Sequence, residues 1–528
     1  MPAPTAPDDQ IAQLRAALER LQAERDALAG ELRVVRTERD LLQQRLAAFV
    51  RKLFAAKSEV RGAHQQDLFL NEAELLGQGS TPAPESPTSE DDTVAVGAHR
   101  RTPRGRKPLD PALPRELLRH ELPASERICP HDGATLTEIG VEVSEQLDIV
   151  PQQVRVIRHE RVKYACPCCD QGLRLAPAPA RLIPKGLLSA SALAWVVVAK
   201  YLDGLPLYRQ AALLGRFGGA LSRNTLAASV VRVGEAVQPL INLLRDALLE
   251  APLILGDETT VQVLKEPGRA AQTKSYVWVQ VSGSGPPVRL FAYGASRGGA
   301  TARELYAGVA QGTVLMSDGY EVYDGLSTHY GLVHLGCWAH ARRRFVEAEQ
   351  ALPKAARSPE QLASRFIAAI GELYALEARA QALAPEQRQC LRAVHSRPIV
   401  EHIGTLAQQH LHSVRPESLL GQALHYLSGQ WPKLVRFLED GRYPIDNNVC
   451  ENAIRPFVIG RRNWLFADTV GGAKASANLY SLIETAKANG LEPYQYLRTV
   501  FSRLPHARTA EDYEALLPWR INLATDKR

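Results

Sequence analysis

From Ile11 the apolar residues recur at alternating steps of three and four: Ile11, Leu14, Leu18, Leu21, Leu28, Leu32, Val35, Leu42, Leu46, Phe49 and Leu53. This heptad seam predicts a coiled coil over residues 9–57, broken only by Arg25 and Arg39 at a positions, where a polar residue sets register and oligomer state at a cost in stability. Heptads stabilise by pairing, which makes the protein at least a dimer. A solitary amphipathic helix packed on the body of the protein is the alternative, but the surrounding positions are nearly all charged. From about Val60 to Thr93 the periodicity stops and Gly, Ser, Pro, Glu and Asp dominate, as in a flexible linker.

The period then changes. Short alternating stretches, Glu142 to Val150 and Val154 to Tyr164, predict a small β-rich module within residues 115–182. Residues 186–248 follow a helical pattern broken at Gly218-Gly219, with Ser222 as the N-cap of a second helix that opens with Arg223 and Asn224. That shape suits a helix-turn-helix reading DNA, or a helical hairpin that merely packs. At PLILGDE, residues 252–258, a short apolar run ends in acids and predicts a buried strand with Asp257 and Glu258 at its terminus. Strands Tyr276 to Val281 and Val288 to Tyr293, a helix around Ala300 to Val309, and a fourth strand ending at Asp318 complete the order of three strands, helix, strand. In this ribonuclease-H-like order the first and fourth strands lie side by side. Residues 345–440, rich in Ala, Leu, Glu and Gln, predict a helical insertion before a third acidic segment, Ile445 to Glu451.

The chemistry expected of this order is metal-dependent. Carboxylates at two strand ends and one helix, Asp257, Asp318 and Glu451, can hold two Mg²⁺ ions, with Mn²⁺ able to substitute, for phosphodiester displacement. Each acid alone reads as a turn or cap residue; three at this placement do not. Asp446 competes with Glu451 for the third role, but its position before Asn447 and Asn448 suits a cap. Cys129-Pro-His131-Asp132 and Cys166-Pro-Cys168-Cys169 could hold one structural Zn²⁺ through Cys129, Cys166 and Cys169 with His131 or Asp132 as the fourth ligand. A metal-free module is the alternative. Cys337 with His334 and His340 offers no fourth ligand for a second zinc, so none is expected there.

Local basic clusters matter more than the net charge of +6, which is too mild to prove a nucleic-acid partner. Arg104, Arg106 and Lys107 in HRRTPRGRKP come close to an AT-hook core, or form a merely solubilising stretch. Arg455, Arg461, Arg462, Asn463 and Lys474, interleaved with Trp464, Tyr480 and Tyr494, fit a surface that grips phosphates and stacks on bases, although Trp464 and Phe466 could equally be core. The apolar run Leu193 to Ala199 is too short to span a bilayer, which needs about 20 residues. No secretory signal is seen, and seven cysteines in a long chain argue for reduced thiols in a cytosol.

Taken together, GDETTVQVL, MSDGYEVY, GCWAHARRRF, DNNVCENAIRPFVIGRRNWLF and SLIETAKANGLEPYQYL resemble the transposases of the insertion sequence 66 family, bacterial enzymes with an Asp-Asp-Glu core. The resemblance extends upstream through KYLDGLPLYRQ, the cysteine pairs and GRKPL to the zipper-like N-terminus. It implies that Asp257, Asp318 and Glu451 are the catalytic triad, while Asp132, where the tidy zinc pattern has cysteine, departs from it. The implied fold is multidomain α/β, with a ribonuclease-H-like catalytic core carrying a helical insertion, an N-terminal coiled coil, a zinc-binding module and a helix-turn-helix-like segment. The implied division is coiled coil 1–58, linker with basic segment 59–113, zinc module 114–182, DNA-binding helices 183–248, core 249–344, insertion 345–440, second core part 441–500 and tail 501–528. The implied partners are double-stranded DNA, as element terminal inverted repeats and target, a further copy of the chain and accessory proteins of the element, in the bacterial cytoplasm at the nucleoid. A transposase-derived DNA binder without catalysis would tend to lose acids while keeping its basic patches, and a coiled-coil scaffold would need neither the strand meander nor the Gly-Arg-Arg-Asn-Trp segment; all three acids are present.

Overall fold

The computed structural model describes residues 154–164, 174–353 and 357–523, with scattered helical positions between Leu18 and Leu42. Most of the heptad seam, the linker, Arg104, Arg106 and Lys107, and all the expected zinc ligands (Cys129, His131, Asp132, Cys166 and Cys169) lie outside the described residues. Nearly all described residues belong to one compact unit. Of a second unit only residues 154–158 and 217–219 are described, as an irregular stretch and a turn. Two two-residue strands, β1 (Lys163–Tyr164) and β2 (Arg174–Leu175), pair antiparallel on either side of the cysteine segment.

Four helices follow: α1 (Ala190–Tyr201), α2 (Leu207–Arg216), α3 (Arg223–Ala236) and α4 (Gln238–Leu249). Ser189 and Ser222 start α1 and α3 as N-caps, their side chains accepting the N–H groups of Ala192 and Thr225. The sheet then forms from β3 (Leu253–Lys265), β4 (Lys274–Ser282) and β5 (Arg289–Gly294), an antiparallel meander, followed by α5 (Gly299–Leu305), β6 (Val314–Ser317), α6 (Glu321–Tyr330) and β7 (Val333–Gly336). Its strand order is β5-β4-β3-β6-β7, with β6 parallel to both β3 and β7.

The insertion begins with α7 (Trp338–Gln350) and continues through α8 (Leu362–Ala380), α9 (Pro385–Leu391), a π-helical turn (Arg392–Ser396), α10 (Arg397–Leu411) and α11 (Leu419–Leu434). It has its own core, in which Trp338 and Phe345 from α7 meet Phe366, Ile370, Ile403, Leu424 and Phe437. The chain returns through α12 (Asn448–Trp464), the short strand β8 (Ala467–Thr469), α13 (Val470–Ala488), α14 (Pro493–Arg503) and α15 (Ala510–Glu514).

Helix α13 packs on the sheet and is buried almost all round. Its Ser481 and Thr485 hydroxyls accept the N–H groups of Phe291 and Arg289, 2.8 and 3.0 Å away, so the edge strand β5 is covered. Gly234 lets α3 lie directly on α13, since a Cβ there would stand 2.4 Å from the Ala475 Cβ. The segment expected as a tail, residues 501–528, instead supplies Phe501, Leu504, Leu516, Leu517 and Ile521 to the main core. Its amphipathic pattern is too short and interrupted to announce that packing from sequence.

Candidate active site

Strand β3 does not end at the acids as its apolar run suggested; it continues to Lys265 through the alternating residues Val261 and Val263, which are buried. What ends near Asp257 is its parallel pairing. Leu253, Ile254 and Leu255 pair with Val314, Leu315 and Met316 of β6, and pairing resumes only at Val263 with Ala467 of β8. Carried two residues further, the β3–β6 register sets Asp257 level with Asp318.

The gap between those two pairings leaves one side of β3 without a strand partner, and α12 fills it with side chains. Asn447, fully buried, donates its Nδ2–H to the Gly256 carbonyl at 2.9 Å and its backbone N–H to Cys337 Sγ at 3.3 Å. Arg461 donates to Thr259 Oγ1 and Thr260 Oγ1, at 3.2 and 3.0 Å, and to the Thr260 carbonyl. Buried backbone groups need partners, so these bonds fix the helix against the strand and set Glu451, in its first turn, near enough for its charge to act on Asp257. The neighbouring charges of Glu258, Asp318 and Glu451 add to burial in raising the Asp257 carboxyl well above its ordinary range, against one stabilising bond from the Glu258 N–H at 2.8 Å. Asp318 Oδ1 accepts the Tyr320 N–H at 3.0 Å.

Glu258, whose charge also acts on Asp257, is itself paired with other partners. Its carboxylate accepts Arg297 Nε–H and Tyr323 O–H, both at 2.6 Å, and Arg297 lies 3.8 Å over the Tyr320 ring. Asp446 is also committed elsewhere: its Oδ1 accepts the Asn448 N–H at 3.1 Å and its Oδ2 the Asn448 side-chain amide at 2.5 Å. Burial raises Asp446 to about 6. Glu451 stays half-buried, with Arg343 Nη2 at 3.3 Å from Oε2 and His340 Nδ1 at 3.7 Å from Oε1.

Beneath the Asp318 turn, His334 joins β7 to its surroundings. Its Nε2 lies 2.8 Å from Ser317 Oγ and its Nδ1 3.0 Å from Asp324 Oδ1, which Lys433 also contacts at 2.7 Å. Burial, reinforced by Lys433, lowers His334 from 6.5 to about 4, so at neutral pH its Nδ1–H donates to Asp324 and its Nε2 accepts from Ser317. Between pH 6.5 and 4 the unfolded chain takes a proton that the folded chain refuses; stability therefore falls as pH drops through that window, by about 3 kcal/mol for this group. The melting temperature of His334→Gln, followed from pH 7 to 4.5 in steps of about half a pH unit, is expected to fall less than that of the parent chain.

The basic residues divide. Arg223, Asn224, Arg462, Asn463 and Lys474 are exposed, and Asn463 donates to the Gly204 carbonyl at 3.0 Å. Arg455 is half-buried and Arg461 is engaged with β3, so its guanidinium serves the fold. Trp464 packs edge-on against Phe457, with ring centroids 5.5 Å apart, whereas Phe466 is exposed. Sequence reasoning missed Asn447, the Glu258–Arg297 pair and the approach of His340 to Glu451, because each joins positions far apart in the chain.

The all-oxygen donors of these acids, and the charges of Asp318 and Glu451 acting on Asp257, fit a hard divalent cation. Among the described residues no helix is long and apolar enough to cross a membrane.

Residues 185–475 match the family model described as Transposase IS66 family, and residues 481–519 match the IS66 C-terminal element. Residues 126–170 match the zinc-finger binding domain of transposase IS66, and residues 41–117 the model described as Transposase C of IS166 homeodomain. Two similar proteins come from Sinorhizobium fredii. Uncharacterized protein y4jD is 33% identical over 77% of this chain and 81% of its own, and uncharacterized protein y4qI is 34% identical over 82% and 80%. With its central model covering more than half of the residues, and the acids lying on the matched segment, the chain belongs to the IS66 transposase family.

Proposed function

We propose that the protein is a DNA transposase that binds the terminal inverted repeats of its insertion sequence and catalyses metal-dependent cleavage and strand transfer. The observation that carries this is the convergence of Asp257, Asp318 and Glu451 from β3, the end of β6 and the first turn of α12. The sheet order, three antiparallel strands with two parallel strands added beside the first, supports a ribonuclease-H-like core. Asp257, Asp318 and Glu451 would hold two Mg²⁺ ions, which when bound supply activation of an attacking oxygen and stabilisation of a leaving oxygen. The chain's own part is to hold the acids level across β3 and β6, to fix Glu451 through Asn447, and to grip phosphates with exposed cations such as Arg462 and Lys474. The test is incubation of the purified chain with a supercoiled plasmid carrying cloned element ends, with Mg²⁺ or with chelator. Nicking at the ends only with the metal is expected. No nicking, with end binding intact, would favour a binder without catalysis.

In that assay Glu451→Gln is expected to eliminate cleavage and Asp446→Asn, which keeps a capping oxygen, to retain most of it. The reverse pattern would transfer the third role to Asp446.

The N-terminal segment is proposed as the oligomerisation element. Leu18, Leu21, Leu28 and Leu42 are helical and 58 to 65% exposed in the single chain, at spacings that a partner helix would cover. Deletion of residues 1–57 is expected to leave a folded core of lower mass in light scattering; an unchanged oligomer would refute the assignment. The zinc module, the α2–α3 helical pair as a DNA reader and a site of action at the bacterial nucleoid belong to the same proposal.

A further inference from the structure

The Cys337 Sγ, a ring nitrogen of His340 and a carboxylate oxygen of Glu451 all lie within 4.8 Å of one another. Spacing alone left Cys337 and His340 without further ligands; the fold supplies one from 108 residues beyond Arg343, the residue that shares Glu451. Cys337 is the N-cap residue of α7, directly after β7, and His340 stands in the first turn of that helix, so the Cys-x-x-His spacing sets both beside Glu451 at the start of α12.

Three features distinguish this cluster from an ordinary polar contact. First, His340 Nδ1 and Glu451 Oε1 are both shielded from solvent and both without a hydrogen-bond partner. Such groups are costly unless something satisfies them. Second, their separation of 3.7 Å is too long for a hydrogen bond, yet close to the edge of a coordination tetrahedron whose metal–ligand distances are about 2.0–2.2 Å. Third, the other carboxylate oxygen, Oε2, is already engaged by Arg343 at 3.3 Å, which leaves Oε1 facing the imidazole. Arg343 is half-exposed, so solvent screens its charge.

We propose that Cys337, His340 and Glu451 form a binding site for a borderline transition-metal ion of the Zn²⁺ class, with a fourth position open to water. The mixed sulfur, nitrogen and oxygen donors select against Mg²⁺, which prefers an all-oxygen octahedron. Binding displaces a proton from the Cys337 thiol, and the resulting thiolate keeps the Asn447 N–H bond at 3.3 Å. The proposal goes beyond the transposase reading while sharing Glu451 with it: an ion held here competes with the Mg²⁺ reaction for that carboxylate.

The test is metal binding by the full chain, stripped by chelator and reloaded. The zinc module contributes equally to the parent and the variants, so differences report this site. The parent chain is expected to take up one more equivalent of Zn²⁺ or Co²⁺ than His340→Ala or Glu451→Gln. The cobalt difference spectrum between the parent and His340→Ala is expected to show thiolate-to-metal charge transfer, and Cys337→Ser to remove that feature. Weakening of at least about 100-fold is expected for His340→Ala, since even an outer-shell change costs about 10- to 100-fold. Arg343→Ala removes no ligand and is expected to retain the ion; it also serves as a folding control on the same helix. Equal metal content and identical cobalt spectra in the parent and His340→Ala would overturn the proposal. Added Zn²⁺ is expected to suppress Mg²⁺-dependent nicking by the parent more than by His340→Ala. Absence of nicking throughout would defeat the transposase reading and leave the binding result standing.

Discussion

Substitution of Asp257 or Asp318 by alanine is expected to abolish cleavage and strand transfer while leaving binding to element ends largely intact. The register of adjacent parallel strands sets the two carboxylates level, and on the proposed reading they would act on the reacting phosphate through bound cations, whereas affinity would come from basic contacts elsewhere. A loss of at least about 10²- to 10³-fold is expected, the scale for removing one electrostatic stabiliser from an active site. Cleavage at near the parent rate by either purified variant would remove the residue from the triad. A second readout tests the crowding of charge. Burial and the surrounding acids raise the Asp257 carboxyl, so its ionised form destabilises the fold at neutral pH. The neutral amide of Asp257→Asn relieves that repulsion, and the inactive variant is expected to melt at a higher temperature than its parent in the presence of chelator.

The largest stability effect is expected at Arg392, a fully buried cation in the π-helical turn of the insertion. Its Nε and Nη2 donate to the two oxygens of Glu377 at 2.7 Å each, and its guanidinium also donates to the carbonyls of Phe437 at 2.6 Å, Asp440 at 2.7 Å and Tyr443 at 2.9 Å. Arg392→Ala strands a mostly buried carboxylate and three carbonyls, which costs about 3–5 kcal/mol. Arg392→Lys, a point charge without the planar fork, is expected to recover only part. Urea unfolding followed by circular dichroism measures both; a cost below about 1 kcal/mol for the alanine variant would mean that the pair only breaks even with its desolvation.

The parts of this architecture legible in the sequence were those written in local pattern. The strands around Asp257 and Asp318, the meander between them and the Ser222 cap follow from period, turn residues and side-chain capping chemistry. The apolar run before Asp257 reads as a whole strand because the middle of β3 does not alternate: Thr259 and Thr260 are both half-buried, and Arg461 donates to both hydroxyls. Arg461 itself looked like a phosphate ligand, since nothing in its neighbours discloses a partner two hundred residues upstream. Asn447 gives no signal of its own beside Asp446, although its amide reaches Gly256 across the molecule.

The Arg392 clamp also bears on the order in which the protein becomes competent during synthesis. Asp318 leaves the ribosome about 130 residues ahead of Glu451, and Asp257 about 190, delays on the order of ten seconds at ordinary elongation rates. The carbonyls that Arg392 holds, at Phe437, Asp440 and Tyr443, belong to the very stretch that leads into Asn447 and Glu451. A nascent or truncated chain that stops short of this stretch carries two acids and the upstream helices but no third carboxylate. On the proposed function, incomplete products of the gene would occupy DNA without cutting it, and the position of the insertion between the second and third acids would make cleavage conditional on a finished polypeptide.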